Sequence, residues 1–331
     1  MEAVRNTRSV VVGIKEEFLN LSEVREKIKA LEENIQGIIK GKPKVIRNAL
    51  AALLSRGHIL IEDVPGVGKT TLAQAIARST ELSFKRIQFT SDLLPSDILG
   101  VSVFDQKTGE FVFKPGPIFA NVVLADEINR ATPKTQSALL EAMSESRVTV
   151  DGVNNELPRP FMVIATQNPF EYRGTFPLPE NQLDRFSMRI SIGYPDYQSE
   201  KQILSDVNAS TSLERVTAIV TKQEILTLQM MVERVHIDES LLDYILAIVR
   251  ATRDSSVFEL GVSPRGAIAL KRAAQAHALI EGRDFCIPDD IKEMAIPVLA
   301  HRVVAKSELS LGKLKEDDIF REVIEKIKVP V

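Results

Sequence analysis

The sequence predicts an α/β fold, a doubly wound parallel sheet covered by helices, followed by a separate α-helical domain. Three observations carry that prediction. The apolar run His58-Ile59-Leu60-Ile61 leads through a Gly/Pro-punctuated turn into the polar start of a helix at Lys69-Thr70-Thr71. The continuous apolar runs at 121–125 and 161–165 have the character of central parallel strands buried on both faces. Beyond Gly193-Tyr194-Pro195-Asp196 the β signals stop and helical periodicity takes over.

In chain order, residues 1–20 are weakly periodic and read as a loosely held tail. From Ser22, a residue able to cap, Val24, Ile28, Leu31 and Ile35 recur at helical spacing. Gly37, Gly41 and Pro43 punctuate a linker, and Val45, Ala49, Ala52 and Leu53 mark one face of a helix over 44–55. After the strand at 58–61 come a helix from Thr70 to about Thr80, a strand over 84–89 and a compact turn at 93–97. Residues 101–104 and 110–113 alternate around a turn, which predicts a hairpin inserted into the domain. Past the strand at 121–125, Thr132 and Pro133 supply a cap and a first-turn proline, with Leu139, Leu140 and Met143 as the buried stripe. Residues 147–157, with Asp151-Gly152 near the middle, predict a second hairpin. The strand at 161–165 ends at Thr166-Gln167-Asn168-Pro169, and a short strand spans 189–192. Helices are expected over 197–208, 222–234 (Thr221 and Glu224 forming a capping box), 239–254, 263–281, 288–300 and near 315–327.

Composition narrows the function. A chain of 331 residues predicts about two domains. The absence of Trp and an aromatic content of 5% argue against aromatic platforms for stacking bases, and a net charge of −3 supplies no overall basic field for nucleic acid or anionic lipid. The single cysteine, Cys286, cannot form an internal disulfide and has no metal-ligand companions, as expected in a reducing compartment. No stretch approaches the roughly 18 apolar residues of a membrane span, and no signal run opens the chain, so a cytoplasmic protein is expected.

The chemistry concentrates at the carboxyl ends of the expected strands. In the segment Pro65-Gly66-Val67-Gly68-Lys69-Thr70-Thr71 the glycines let backbone N–H groups point inward as an anion nest, Lys69 reaches the β- and γ-phosphates, and Thr70 holds Mg²⁺. The ligand implied is a nucleoside triphosphate. The strict phosphate-loop pattern has glycine where this chain has Asp63, a change expected to alter the start of the loop and to leave the nest intact. Asp126 follows an apolar strand and is placed to bind the same Mg²⁺, while Glu127 is placed to accept the proton of an attacking water, a role typically contributing about 10²–10⁴ in rate. Asn168 is placed to orient that water. Arg185, in Leu183-Asp184-Arg185-Phe186, and Arg265, in Ser263-Pro264-Arg265, carry planar guanidinium forks suited to a γ-phosphate.

Together these residues resemble an AAA+ ATPase, and more closely the MoxR family. The carriers are Glu62-Asp63-Val64-Pro65-Gly66-Val67-Gly68-Lys69-Thr70, Leu124-Ala125-Asp126-Glu127-Ile128-Asn129-Arg130-Ala131, Ala165-Thr166-Gln167-Asn168-Pro169, Gly174-Thr175-Phe176-Pro177-Leu178-Pro179-Glu180 with Gln182-Leu183-Asp184-Arg185-Phe186, and Gly261-Val262-Ser263-Pro264-Arg265. The resemblance implies an N-terminal tail and helix over 1–35, a P-loop αβα nucleotide-binding domain with hairpin insertions over 36–195 and an α-helical lid over 196–331. It further implies a ring, usually hexameric, with ATP and Mg²⁺ between subunits. By the same likeness Arg185 resembles the arginine finger, Arg265 the lid sensor and Asn168 the strand sensor, with Arg130 a second candidate at the subunit interface. The hairpins resemble insertions of the branch that also holds magnesium-chelatase ATPase subunits and MCM helicases. Family members are regarded as chaperone-like remodellers of protein clients that work with von Willebrand factor A partners. Where the family usually has Val-Gly-Gln, this chain has Ile39-Lys40-Gly41-Lys42. A nucleic-acid motor is the rival reading, and the hairpin tips at 105–110 and 151–156, with one lysine and four acids, argue against it.

Overall fold

Helices α1 (Leu21–Gln36) and α2 (Pro43–Leu54) precede β1 (Ile59–Glu62), α3 (Lys69–Ser79), β2 (Phe84–Gln88) and the short α4 (Pro95–Leu99). The hairpin β3 (Gly100–Asp105) and β4 (Glu110–Pro115) comes next, then β5 (Val122–Asp126), α5 (Pro133–Glu145) and a second hairpin, β6 (Arg147–Val150) and β7 (Val153–Glu156). The domain closes with β8 (Met162–Gln167), α6 (Glu180–Leu183) and β9 (Met188–Ile190). The lid comprises α7 (Tyr197–Ser205), α8 (Lys222–Arg234), α9 (Glu239–Asp254), β10 (Phe258–Leu260), α10 (Pro264–Ile280), α11 (Pro288–Leu299), β11 (Val304–Ala305) and α12 (Glu316–Ile324). This computed structural model describes residues 20–169, 174–205, 213, 216–306 and 316–330.

All five strands of the main sheet run parallel, in the order β2-β5-β8-β1-β9. Alternation along a strand sends successive side chains to opposite faces, and the two faces meet different partners. Ile59, Ile61, Val122, Leu124, Met162 and Ile164 pack with α1, α2, α3 and the lid helices in one continuous core. Leu60, Val123, Ala125, Val163 and Ala165 point the other way, onto a second core with Ile98, Leu139, Leu140 and Met143 from α4 and α5. The lid is thus packed into the base of the domain by the same apolar surface that builds the sheet.

The structure corrects several expectations. Asn20, not Ser22, caps α1: its side chain accepts from Glu23 N at 2.9 Å, and the Glu23 carboxylate accepts from Asn20 N. Helix α2 is buried almost all round, from Asn48 to Leu54, because it lies between sheet and lid, so no single apolar face defines it. The turn at 93–97 is the start of α4, and Thr132 holds the N-cap position of α5 with no side-chain bond to a helix N–H. The lid is not free of β structure, since β10 and β11 pair antiparallel across Phe258 and Ala305. Strands of three and two residues leave no periodicity to detect. The capping box at Thr221 and Glu224 and both hairpins are present. Residues 1–19 of the tail expected over 1–20, and the end of the helix expected over 197–208, lie outside the described residues.

His58, at the amino end of β1, is buried, with Nδ1 accepting from Val163 N at 3.0 Å and Nε2 3.0 Å from Met143 O. Burial, helped by the Arg265 charge, lowers its pKa from 6.5 to about 4. A folded-state pKa below the unfolded value contributes stability that is present above pH 6.5 and lost as pH falls through 4, about 3 kcal/mol at 1.36 kcal/mol per unit. His58→Gln, which cannot titrate there, is predicted to flatten the pH dependence of stability over that window in urea denaturation. Parallel profiles for the two proteins would contradict it.

Candidate nucleotide site

Because β8 lies between β5 and β1, the carboxyl ends of these three strands meet at the centre of the sheet, where open α/β folds bind ligands. From β1 the loop climbs into α3. Gly66 and Gly68 take φ of 85° and 95°, a left-handed region that favours glycine, and a Cβ on Gly66 would meet nothing within 4 Å. Conformation rather than crowding therefore requires glycine, and the loop faces open space. Successive N–H groups in such a turn, with the amino end of α3 behind them, suit a chain of phosphates. Pro65 and Gly66 are exposed, and Val67, Gly68, Thr70 and Thr71 half-buried.

Lys69 Nζ donates to Asp63 O at 2.5 Å and lies 3.5 Å from Gln167 O. Partial burial lowers its pKa, opposed by the carboxylates of Asp63, Asp126 and Glu127. Asp63 does more than shape the start of the loop. Its buried carboxylate accepts from Val64 N at 2.9 Å through Oδ1, and through Oδ2 from Ile192 N and Gly193 N, each at 2.7 Å, and from Ser191 Oγ at 3.0 Å. The phosphate loop is thereby fastened to the segment that leaves β9 for the lid.

Asp126 ends β5 and Glu127 follows it directly. Asp126 Oδ1 accepts from Thr166 Oγ1 at 2.6 Å, and Oδ2 accepts from Arg86 Nη2 at 2.5 Å. Glu127 holds φ 58° and ψ 49°, a left-handed conformation costing a non-glycine residue about 1–3 kcal/mol, and its N–H donates to Thr166 Oγ1 at 2.9 Å. Its carboxylate accepts from Gln88 Nε2 at 2.9 Å and pairs with Arg130 Nε at 3.2 Å. Asn168 follows β8 directly and is half-buried. Sequence reasoning missed Arg86, Gln88 and Thr166. The available signal was positional: Gln88 and Thr166 stand at the carboxyl ends of β2 and β8, the strands on either side of β5, which ends at Asp126.

Arg185 and Arg265 lie elsewhere. Arg185 Nη1 donates to Leu140 O at 3.0 Å and Ser144 Oγ at 2.5 Å, and Arg265 Nη2 reaches the same hydroxyl at 3.4 Å. With Arg56, Arg159, Arg272 and Arg302 they line an open cavity of about 820 Å³ whose other walls include His58 and Phe161. Those two residues precede β1 and β8, so the cavity sits at the amino edge of the sheet. At about 3.3 Å per residue, the six residues of β8 put roughly 20 Å between that edge and the carboxyl edge. One chain brings Lys69, Asp126, Glu127 and Asn168 together and keeps Arg185 and Arg265 apart from them.

A phosphate loop, an acidic pair at the carboxyl end of the next strand but one, and a helical lid on a five-stranded parallel sheet define a P-loop ATPase of the AAA+ class. The family model for "ATPase family associated with various cellular activities (AAA)" matches residues 58–188, and that for the AAA lid domain matches 250–323. The chain is 51% identical to the uncharacterized protein YeaC of Bacillus subtilis over 90% of this chain and 93% of that one. It is 38% identical to Chaperone MoxR1 of Mycobacterium tuberculosis, over 89% of this chain and 80% of that one. A crystal structure from Cytophaga hutchinsonii superposes with a TM-score of 0.86 at 39% identity, covering 94% of this chain and 97% of that one. The chain belongs to the MoxR family of AAA+ ATPases.

Asp63→Gly, which restores the usual phosphate-loop residue, is predicted to destabilise the protein by about 3 kcal/mol or more, because the N–H groups of Ile192 and Gly193 lose a charged acceptor. Asp63→Asn, which keeps an acceptor, should cost less. Equal melting temperatures for wild type and Asp63→Gly would contradict the anchoring role.

Proposed function

We propose that the protein is a ring-forming, Mg²⁺-dependent ATPase that remodels a protein client and hydrolyses ATP only where two copies meet. The observation that carries this reading is the division of the arginines from the phosphate loop along the sheet. In it, the backbone of residues 65–71 and Lys69 grip the triphosphate, and Thr70 and Asp126 hold the metal, with Arg86 the competing cation at Asp126. A Mg²⁺ bound there supplies charge neutralisation at the phosphates. Glu127 accepts the proton of the attacking water once its carboxylate leaves Gln88 and Arg130, and Asn168 orients that water. Arg185 and Arg265 stabilise charge on the nucleotide of the adjacent copy, a contribution of about 10³–10⁵ in rate for a finger supplied in trans.

A polypeptide client is favoured over nucleic acid by the β3–β4 hairpin, where Phe104 and Phe111 stack edge to face at 5.4 Å with 51% and 74% of their surface exposed. Apolar rings beside an acidic hairpin tip suit a chain segment rather than a phosphate backbone. The relative named as a chaperone agrees with that reading, and a von Willebrand factor A protein is the proposed partner by family likeness.

Glu127→Gln is expected to retain ATP binding and to stop phosphate release, measured by equilibrium binding beside a phosphate assay; undiminished release would remove Glu127 from its role. Arg185→Ala should lower turnover at least 10³-fold with little change in nucleotide affinity. Mixing it with Lys69→Ala chains, which bring intact arginines, should restore part of the activity. Two inactive proteins that stay inactive when mixed would contradict completion by a neighbour.

A further inference from the structure

Arg185 and Arg265 are carried by segments that share one anchor. Asp184 immediately precedes Arg185, and Ser263, two residues before Arg265, caps α10 by accepting from Gly266 N at 3.2 Å. Ser263 Oγ also lies 3.0 Å from each oxygen of the Asp184 carboxylate and donates its single proton to that group. Arg302, on the turn after α11, reaches the same carboxylate: its Nη1 donates to Asp184 Oδ1 at 2.5 Å and Asp184 O at 3.0 Å, its Nη2 to Phe186 O at 2.6 Å and its Nε to Val298 O at 2.8 Å.

The Arg302 side chain is only 2% exposed. Burial lowers its pKa and the Asp184 charge opposes that fall. A cation so enclosed is tolerable only while its counter-charge stays in place, and removing one member of such a pair is strongly destabilising. All the donors come from the lid, and the acceptors at Asp184 and Phe186 come from the base of the domain. The contact is short and charged, with its cation buried, and it links residue 184 to residue 263 rather than to any part of the phosphate loop.

We infer that Asp184 is a positioning residue that sets Arg185 and Arg265 as one unit, so that the lid and the base present both guanidinium groups to a neighbour's nucleotide in a fixed relation. Both guanidinium groups reach Ser144 Oγ, Arg185 at 2.5 Å and Arg265 at 3.4 Å, an arrangement that such a relation accounts for. Asp184 touches no nucleotide itself and acts only through the two arginines it holds. The inference rests on the neighbour-completed site proposed above.

Asp184→Asn tests it. Because losing the charge beside Arg302 can unfold the protein, Ser263→Asp serves as the second variant: aspartate caps a helix as well as serine does and sets a like charge against Asp184. Each variant alone should lose ten- to a hundredfold in turnover, the scale of a misplacement of about 1 Å, with ATP affinity unchanged. The deciding readout is directional. Mixed with Lys69→Ala chains, each variant should regain activity, since its own phosphate loop is sound and the partner's arginines are intact. Mixed with Arg185→Ala chains, it should gain nothing.

A variant that stays inactive with Lys69→Ala chains while Arg185→Ala is rescued by them would show a folding defect and overturn the inference for that residue. Wild-type turnover in both variants would overturn it outright. If Lys69→Ala fails to rescue even Arg185→Ala, the neighbour-completed site is what fails.

Discussion

Parallel strands impose a direction on everything they carry. In an all-parallel sheet the carboxyl ends share one edge, and what precedes the strands shares the other. Here the phosphate loop, Asp126, Glu127 and Asn168 occupy the first edge and Arg185 the second, because Arg185 stands three residues before β9. No rotamer change spans a strand's length, so the chemistry of one chain is laid out in two halves. That division makes sense of a subunit that carries several cations at a distance from its own phosphate loop.

The electrostatics of the amino edge follow from the same layout. Six arginines line one cavity there, against Glu145 and Asp184 as its acids. The histidines packed beside them are held uncharged: burial pushes His58 down to about 4, and burial with Arg302 and Arg189 lowers His301 well below its usual value. Each has a backbone carbonyl within hydrogen-bond reach, Met143 O for His58 and Phe186 O for His301. The positive field there is permanent rather than pH-gated over the neutral range, which suits the proposed contact with a neighbour's triphosphate. At the carboxyl edge the charges are even, with Lys69 among three carboxylates and Arg86 and Arg130 occupying the two acids that the proposed chemistry requires free.

The residues legible in the sequence were those whose chemistry is local. Gly66 and Gly68 announce themselves because their backbone angles exclude other residues, and Asp126 and Glu127 because a fully apolar strand runs straight into them. The long helices were equally plain, and α8 and α9 begin and end where their periodicity does. What the sequence hid were contacts between distant positions. Ser263 meets Asp184 across 79 residues and Arg302 meets it across 118; nothing in either stretch marks the pairing. Asp63 was legible as a departure from the phosphate-loop pattern, yet its purpose appears only when Ile192 and Gly193 are seen folding back onto it. The β10–β11 ribbon fell below the length at which alternation means anything.

The central claim is that a single copy is an incomplete enzyme. It is tested most directly by measuring ATP turnover per chain across a dilution series while sedimentation reports the assembly state of the same samples. Turnover that rises and reaches its plateau together with assembly, and vanishes in dilute monomer, is the predicted result. A rate per chain that stays constant down to concentrations where only monomer sediments would contradict the account.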